Sequence, residues 1–195
     1  MSRWSKYLGN SVNFAVEKTS EEGFLENFFE KRTFEPRNDE ELREFEDFSF
    51  VTTTLSLAVY VSLADEEVSK QEKERIISEM IFQLEQYSHE YSVLSEKFGN
   101  SDKEIINALF EKFKEEVVSN NYDLDDNIRI INLIYGNNPY KKNYILRLCY
   151  IIGFTESKNR EKEFETIDII ATKLKISQQE RERIRKEVSK EYKSD

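Results

Sequence analysis

Tyr144-Ile145-Leu146-Arg147-Leu148-Cys149-Tyr150-Ile151-Ile152 is the stretch whose reading decides the fold. Wound into a helix, these residues are apolar on nearly every side, and a helix of that kind must be enclosed by others rather than lie on a surface. Just upstream, Asn138 followed by Pro139 is a cap followed by proline at the first helical position, and Gly136 closes the segment before it. The spacing predicts a central helix over 139–153, and with it an all-α, multi-helix bundle.

Outward from that rod the chain reads as further helices. Phe45, Phe48, Thr52, Leu55, Val59 and Ser62 recur at three- and four-residue steps, an amphipathic stripe. A second stripe runs through Ile77, Met80, Leu84, Tyr87, Tyr91, Leu94 and Phe98 to Gly99, and a third through Ile105, Leu109, Phe113 and Val117. Ser69–Glu72, Ser101–Glu104 and Ser177–Glu180 each have the spacing of a capping box, in which Ser and Glu satisfy the free backbone donors of a helix start. With only 5 Gly and 2 Pro to interrupt them, long helices are expected. The expected spans are 40–64, 70–98, 102–119, 124–135, 139–153, 160–174 and 178–193, with shorter helices near 4–18 and 20–31. No strand pattern competes. Pro36 separates a helical N-terminal appendage, 1–36, from one helical domain, 37–195.

Composition narrows the function. The 195 residues include 14 Phe and 10 Tyr, which need a core to bury them. The formal charge of −10, from 39 acidic against 29 basic side chains, argues against nucleic acid or an anionic membrane as partner. Arg181, Arg183, Arg185 and Lys186 are interleaved with glutamates, the mark of a solvated mixed-charge face. The single cysteine, Cys149, excludes an internal disulfide and a multi-cysteine zinc site, and reads as a small buried hydrophobe. No apolar run reaches membrane-spanning length and the first residues lack a signal-peptide core, so no membrane insertion and a cytoplasmic location are expected. His89, the only histidine, sits beside Glu90 with no catalytic partner in view. Spacing alone leaves a Ser-His-Asp arrangement open, but there is neither a nucleophile elbow nor a glycine-rich phosphate loop, and no enzyme is expected.

Two segments echo each other. Leu55-Ser-Leu-Ala-Val-Tyr-Val-Ser-Leu-Ala-Asp65 leads into a helix starting near Glu72, and Leu146-Arg-Leu-Cys-Tyr-Ile-Ile-Gly-Phe-Thr-Glu156 leads into one containing Glu163. Each is an apolar helix ending in a carboxylate, with another carboxylate seven positions on, so each reads as a helical hairpin. Together they resemble the TerB-like family, which includes tellurite-resistance proteins and the TerB-like part of membrane-anchored DnaJ-type co-chaperones. LAVYVSLADEEVSKQEKERI is similar to the family's first motif and LRLCYIIGFTESKNREKEFETIDIIATKLKIS to its second. YDLDDNIRIINLI is similar to the connector between them, and the opening Trp4-Ser-Lys-Tyr-Leu-Gly9 faintly resembles the start of the anchored relatives. Coverage runs over about residues 45–188. The departures are Glu66 in place of the first motif's glycine, Thr155-Glu156-Ser157 in the second, polar residues where the relatives carry an apolar anchor, and no His-Pro-Asp signature of a J domain.

The resemblance implies a TerB-like bundle of two repeated hairpins and an acidic site at Asp65, Glu72, Glu156 and Glu163. In some members that site is proposed to bind a divalent cation, here calcium or magnesium. Capping explains the same spacing without a metal, Glu72 completing its box and Asp65 ending a turn. The appendage carries Trp4, Tyr7, Leu8, Phe14, Phe24, Leu25, Phe28, Phe29 and Phe34 among charges. These rings either pack back onto the bundle or form a partner-docking arm with Trp4, Phe24, Phe28 and Phe29 at its contact. The expected function is non-enzymatic protein–protein interaction, as an adaptor or assembly protein. The alternative is a divalent-cation-binding stress-response protein.

Overall fold

A computed structural model of the chain describes residues 39–86, 102–155 and 160–192. These form seven α-helices and no strand: α1 Asp39–Ser62, α2 Lys70–Gln86, α3 Asp102–Val118, α4 Leu124–Tyr135, α5 Pro139–Thr155, α6 Arg160–Lys173 and α7 Gln178–Glu191. The all-α bundle expected from the sequence is present, with boundaries within two residues of the expected ones wherever both ends are described. The expected helices near 4–18 and 20–31, and the continuation of α2 beyond residue 86, lie outside the described residues.

Two helices run through the middle. α5 packs against α1, α2, α4, α6 and α7, and Ile145, Leu146 and the whole run Leu148–Gly153 are buried. α1 packs against α2, α3, α4, α5 and α6. Here the structure corrects the expectation of one apolar stripe, because every residue from Ser49 to Val59 is buried, and so are Val61 and Ser62. α1 is therefore a second central rod. Several of its buried polar residues return their hydroxyls to the helix: Thr53 Oγ1 donates to Ser49 O at 2.6 Å, Ser56 Oγ to Thr53 O at 3.0 Å and Ser62 Oγ to Val59 O at 2.9 Å.

Local chemistry sets the helix ends. Asp123 caps α4, accepting from Asp126 N at 2.9 Å, and Asn138 caps α5, accepting from Lys141 N at 3.1 Å, with Pro139 next as expected. Of the three expected capping boxes, Ser69–Glu72 is complete. At Ser177 only half forms, because Glu180 Oε1 receives Asn143 of α5 and Arg183 instead. Ser101 lies outside the described residues. α3 and α6 end in Schellman turns: Asn121 N donates to Glu116 O at 2.8 Å and Ile176 N to Ala171 O at 3.0 Å. The left-handed positions are held by Asn120 (φ 56°) and Lys175 (φ 61°) rather than by glycine.

Lys142 completes the end of α6 from outside. Its side chain is only 8% exposed, and its Nζ donates to Asn132 Oδ1 at 2.8 Å and Leu174 O at 3.1 Å. Asn132 in turn donates to Lys173 O at 2.9 Å. Burial, and secondarily the nearby Lys175, hold the Lys142 ammonium below its usual range. The basic run of α7 is only partly the solvated face expected. Arg183 pairs with Glu180 and Glu187, whereas Arg181 reaches back to Ile176 O and Arg185 lies over the Phe164 ring at 4.4 Å.

Candidate functional site

The α1–α2 elbow is described throughout. Ala64 N donates to Val61 O and Glu66 N to Leu63 O, both at 3.0 Å, turning the chain out of α1. Asp65 Oδ1 accepts from Glu67 N at 3.3 Å, a local turn contact. Glu66 has φ 78°, the left-handed conformation that favours glycine. Ser69 N then donates to Glu72 Oε2 at 2.8 Å while Glu72 N donates to Ser69 Oγ at 3.1 Å. Glu72 is only 2% exposed, so its carboxylate is a buried cap in the first turn of α2.

Glu163 stands in the first turn of α6 and is also 2% exposed. Its counterpart spacing to the first elbow is close throughout: at a separation of 91 positions, Leu55 pairs with Leu146, Ala58 with Cys149, Glu72 with Glu163 and Ile76 with Ile167, every one of them buried. α6 approaches α5 over Gly153, where an added Cβ would lie 3.1 Å from Ile167 Cδ1 and 3.8 Å from Glu163 Oε2. Glu156, the fourth residue of the expected acidic site, lies outside the described residues. So do Trp4, Phe24, Phe28 and Phe29.

A chain of cation and ring contacts joins the starts of α2 and α6. Arg75 lies 5.4 Å over Tyr192, Tyr192 stacks on Phe154 at 6.3 Å, and Phe154 meets Phe164 edge-on at 5.1 Å. Arg75 is one turn past Glu72 and Phe164 adjoins Glu163, so the two helix starts are linked through these rings. They do not form a metal cage on their own: among the described residues no group of three or more His, Cys, Asp or Glu side chains converges to hold an ion.

The other ionisable groups of the core serve the fold. Burial pushes the Cys149 thiol up to about 12 and the Tyr150 phenol up to about 12, so neither ionises near neutrality. Sequence reasoning missed one polar cluster. Asn127 of α4, fully buried, donates through Nδ2 to Ser56 Oγ and Tyr122 OH, both at 2.7 Å, and to Thr53 O at 3.3 Å. An asparagine inside the Ile-rich run NIRIINLI, facing a Ser/Thr-rich helix, was the available signal.

Fold and site define a class, an all-α bundle around two central helices with a buried carboxylate at the start of the helix that follows each. No family model, no curated protein and no solved structure matches the chain. Among the described residues no helix is long and apolar enough to cross a membrane.

Proposed function

We propose that the chain is a non-enzymatic protein–protein interaction module of TerB-like type, an adaptor or assembly protein. The observation that carries this reading is how the buried ionisable groups are used. Glu72 caps α2, Lys142 closes α6, and Cys149 and Tyr150 are held in their neutral forms by burial. None of these is poised for proton transfer or nucleophilic attack. What the protein offers other molecules is its strongly acidic surface, suited to partner selection and steering. The left-handed Glu66, where the family motif has glycine, supports the TerB-like assignment. Cross-linking and affinity purification from the native cell, read by mass spectrometry, should return a defined protein partner. Recovery of the chain alone under gentle, low-salt conditions would overturn the adaptor reading.

A divalent-cation site at Asp65, Glu72, Glu156 and Glu163 is the second reading. It is favoured by the two buried glutamates in the first turns of α2 and α6. Weighing against it, Glu72 already accepts from Ser69 N and Asp65 from Glu67 N. If the site binds metal, millimolar calcium or magnesium raises the melting temperature of the wild type but not of Asp65→Ala. An unchanged wild-type melting temperature removes this reading.

A further inference from the structure

α6 and α7 both pack on α5 but approach each other little, and long side chains bridge the junction between them. Arg181 of α7 donates through Nε to Ile176 O at 2.8 Å and through Nη1 to Thr172 Oγ1 at 3.0 Å. One turn on, the exposed Arg185 lies 4.4 Å from the centre of the Phe164 ring. Neither guanidinium makes an ion pair with any described residue, so neither charge is neutralised within the described fold. Arg183, between them in sequence, is by contrast held by Glu180 and Glu187. On a chain of net charge −10, two unpaired arginines one turn apart stand out.

Tyr150 of α5 ties the pair together. Its ring lies 6.0 Å from that of Phe164, and the charged side chains acting on its phenol are Arg185 and Arg181 from α7 and Asp168 from α6. Tyr150 is buried, and its hydroxyl makes no hydrogen bond with any described residue. Two guanidiniums against one carboxylate leave one net positive charge around that hydroxyl. The groups left to bind are donors, the phenol proton and the unused N–H groups of both arginines. A carboxylate is singly charged and accepts only, which matches them in number and sign. A phosphate dianion or a longer polyanion meets Asp168 and the acidic surface beyond it.

We propose that the junction of α6 and α7 receives a single aspartate or glutamate side chain of a partner protein, its carboxylate accepting from Arg185, Arg181 and the Tyr150 hydroxyl. Stacking on Phe164 and the bonds to Ile176 and Thr172 already order the two guanidiniums, so less is lost in forming the pair. Two helices that part over α5 let an extended segment lie lengthwise between them while one side chain reaches the arginines. The inference rests on the adaptor reading and names the chemistry of its partner, an isolated acidic side chain in a segment otherwise without charge.

Heteronuclear NMR of the arginine Nε–H groups in the full chain tests it with the capped peptide Ala-Ala-Glu-Ala-Ala, and Ala-Ala-Gln-Ala-Ala as the neutral control. The glutamate peptide should move the Arg181 and Arg185 signals saturably at millimolar concentration and leave Arg183 unmoved, whereas the glutamine peptide moves none. Affinity should fall at least about tenfold in Arg185→Gln and about fivefold in Tyr150→Phe, and stay unchanged in Arg183→Gln. These variants alter an exposed side chain or an unbonded hydroxyl, so each should melt as the wild type does. Absence of a saturable shift overturns the proposal, as does equal binding of the glutamine peptide or undiminished affinity in either Arg185→Gln or Tyr150→Phe. Acetate lacks the flanking backbone and should bind more weakly. Acetate binding as tightly as the peptide makes a free small carboxylate the ligand, tighter binding of inorganic phosphate makes it phosphate, and either overturns the proposal. The peptide titration needs no cellular partner. Its failure beside a recovered partner therefore removes this inference alone, and its success with none recovered leaves the carboxylate seat in place and removes only the adaptor reading.

Discussion

The two central helices reach one degree of burial with different chemistry. α5 buries the unbroken apolar run Leu148–Ile152, whereas α1 buries Ser49, Thr52, Thr53, Thr54, Ser56 and Ser62 among its Leu and Val. α5 announces itself in the sequence and α1 does not. The difference teaches that enclosure and apolarity are separable: a hydroxyl that returns its hydrogen bond to a carbonyl three or four residues back fills core volume without asking for a partner elsewhere. That return fails at two positions: Ser49 Oγ and Thr54 Oγ1 are buried with no hydrogen-bond partner among the described residues.

The strongest check on the equivalence of the rods uses the lone cysteine. Burial lifts its pKa to about 12, so at pH 8 the native thiolate fraction is roughly a thousandfold below that of an exposed thiol. Cys149 should resist a disulfide reagent until the protein unfolds. Moving the thiol to the matching position, Ala58→Cys in a Cys149→Ala background, should give the same protection; rapid native labelling there means α1 is not enclosed. The folded state also keeps its thiol proton to higher pH than the unfolded chain, so this group's contribution to stability declines as pH climbs from about 9 to about 12.

Next in size, Leu55→Ala and Leu146→Ala should each cost about 2–5 kcal/mol in denaturant melts, since both side chains are fully buried. A cost below about 1 kcal/mol at Leu55 alone breaks the parallel. Asn127→Ala, which strips the donors from Ser56, Tyr122 and Thr53, should cost about 1–3 kcal/mol. The finest comparison lies within α1. Thr53→Val removes a made hydrogen bond and should cost about 1 kcal/mol, whereas Thr54→Val removes an unsatisfied hydroxyl and should gain about as much. Equal effects at the two sites would show that hydroxyl satisfaction does not control the strength of α1.

Helix ends were legible because they are local. Asn138-Pro139 and Ser69–Glu72 act where they stand, and both are found as read. Glu180 shows the limit. Its spacing from Ser177 fits a capping box, yet Asn143, 37 positions away, supplies a competing donor that no local pattern contains. The enclosure of α1 was hidden for a related reason, since Ser and Thr look like a solvent face until the surrounding helices are in place. Of the candidate acidic residues, the burial of Glu72 and Glu163 follows from packing against the central rods, which spacing alone does not encode.

The polar seam of α1 has a kinetic consequence. Ser56 and Thr53 meet Asn127 of α4, 71 and 74 positions downstream, so this pairing is long-range and slower to close than the nearer hairpin α1–α2. Until α4 arrives, α1 waits with that flank uncovered. The hydroxyls on it are less adhesive than an unbroken Leu and Ile surface, so the half-built chain carries its own guard against clumping.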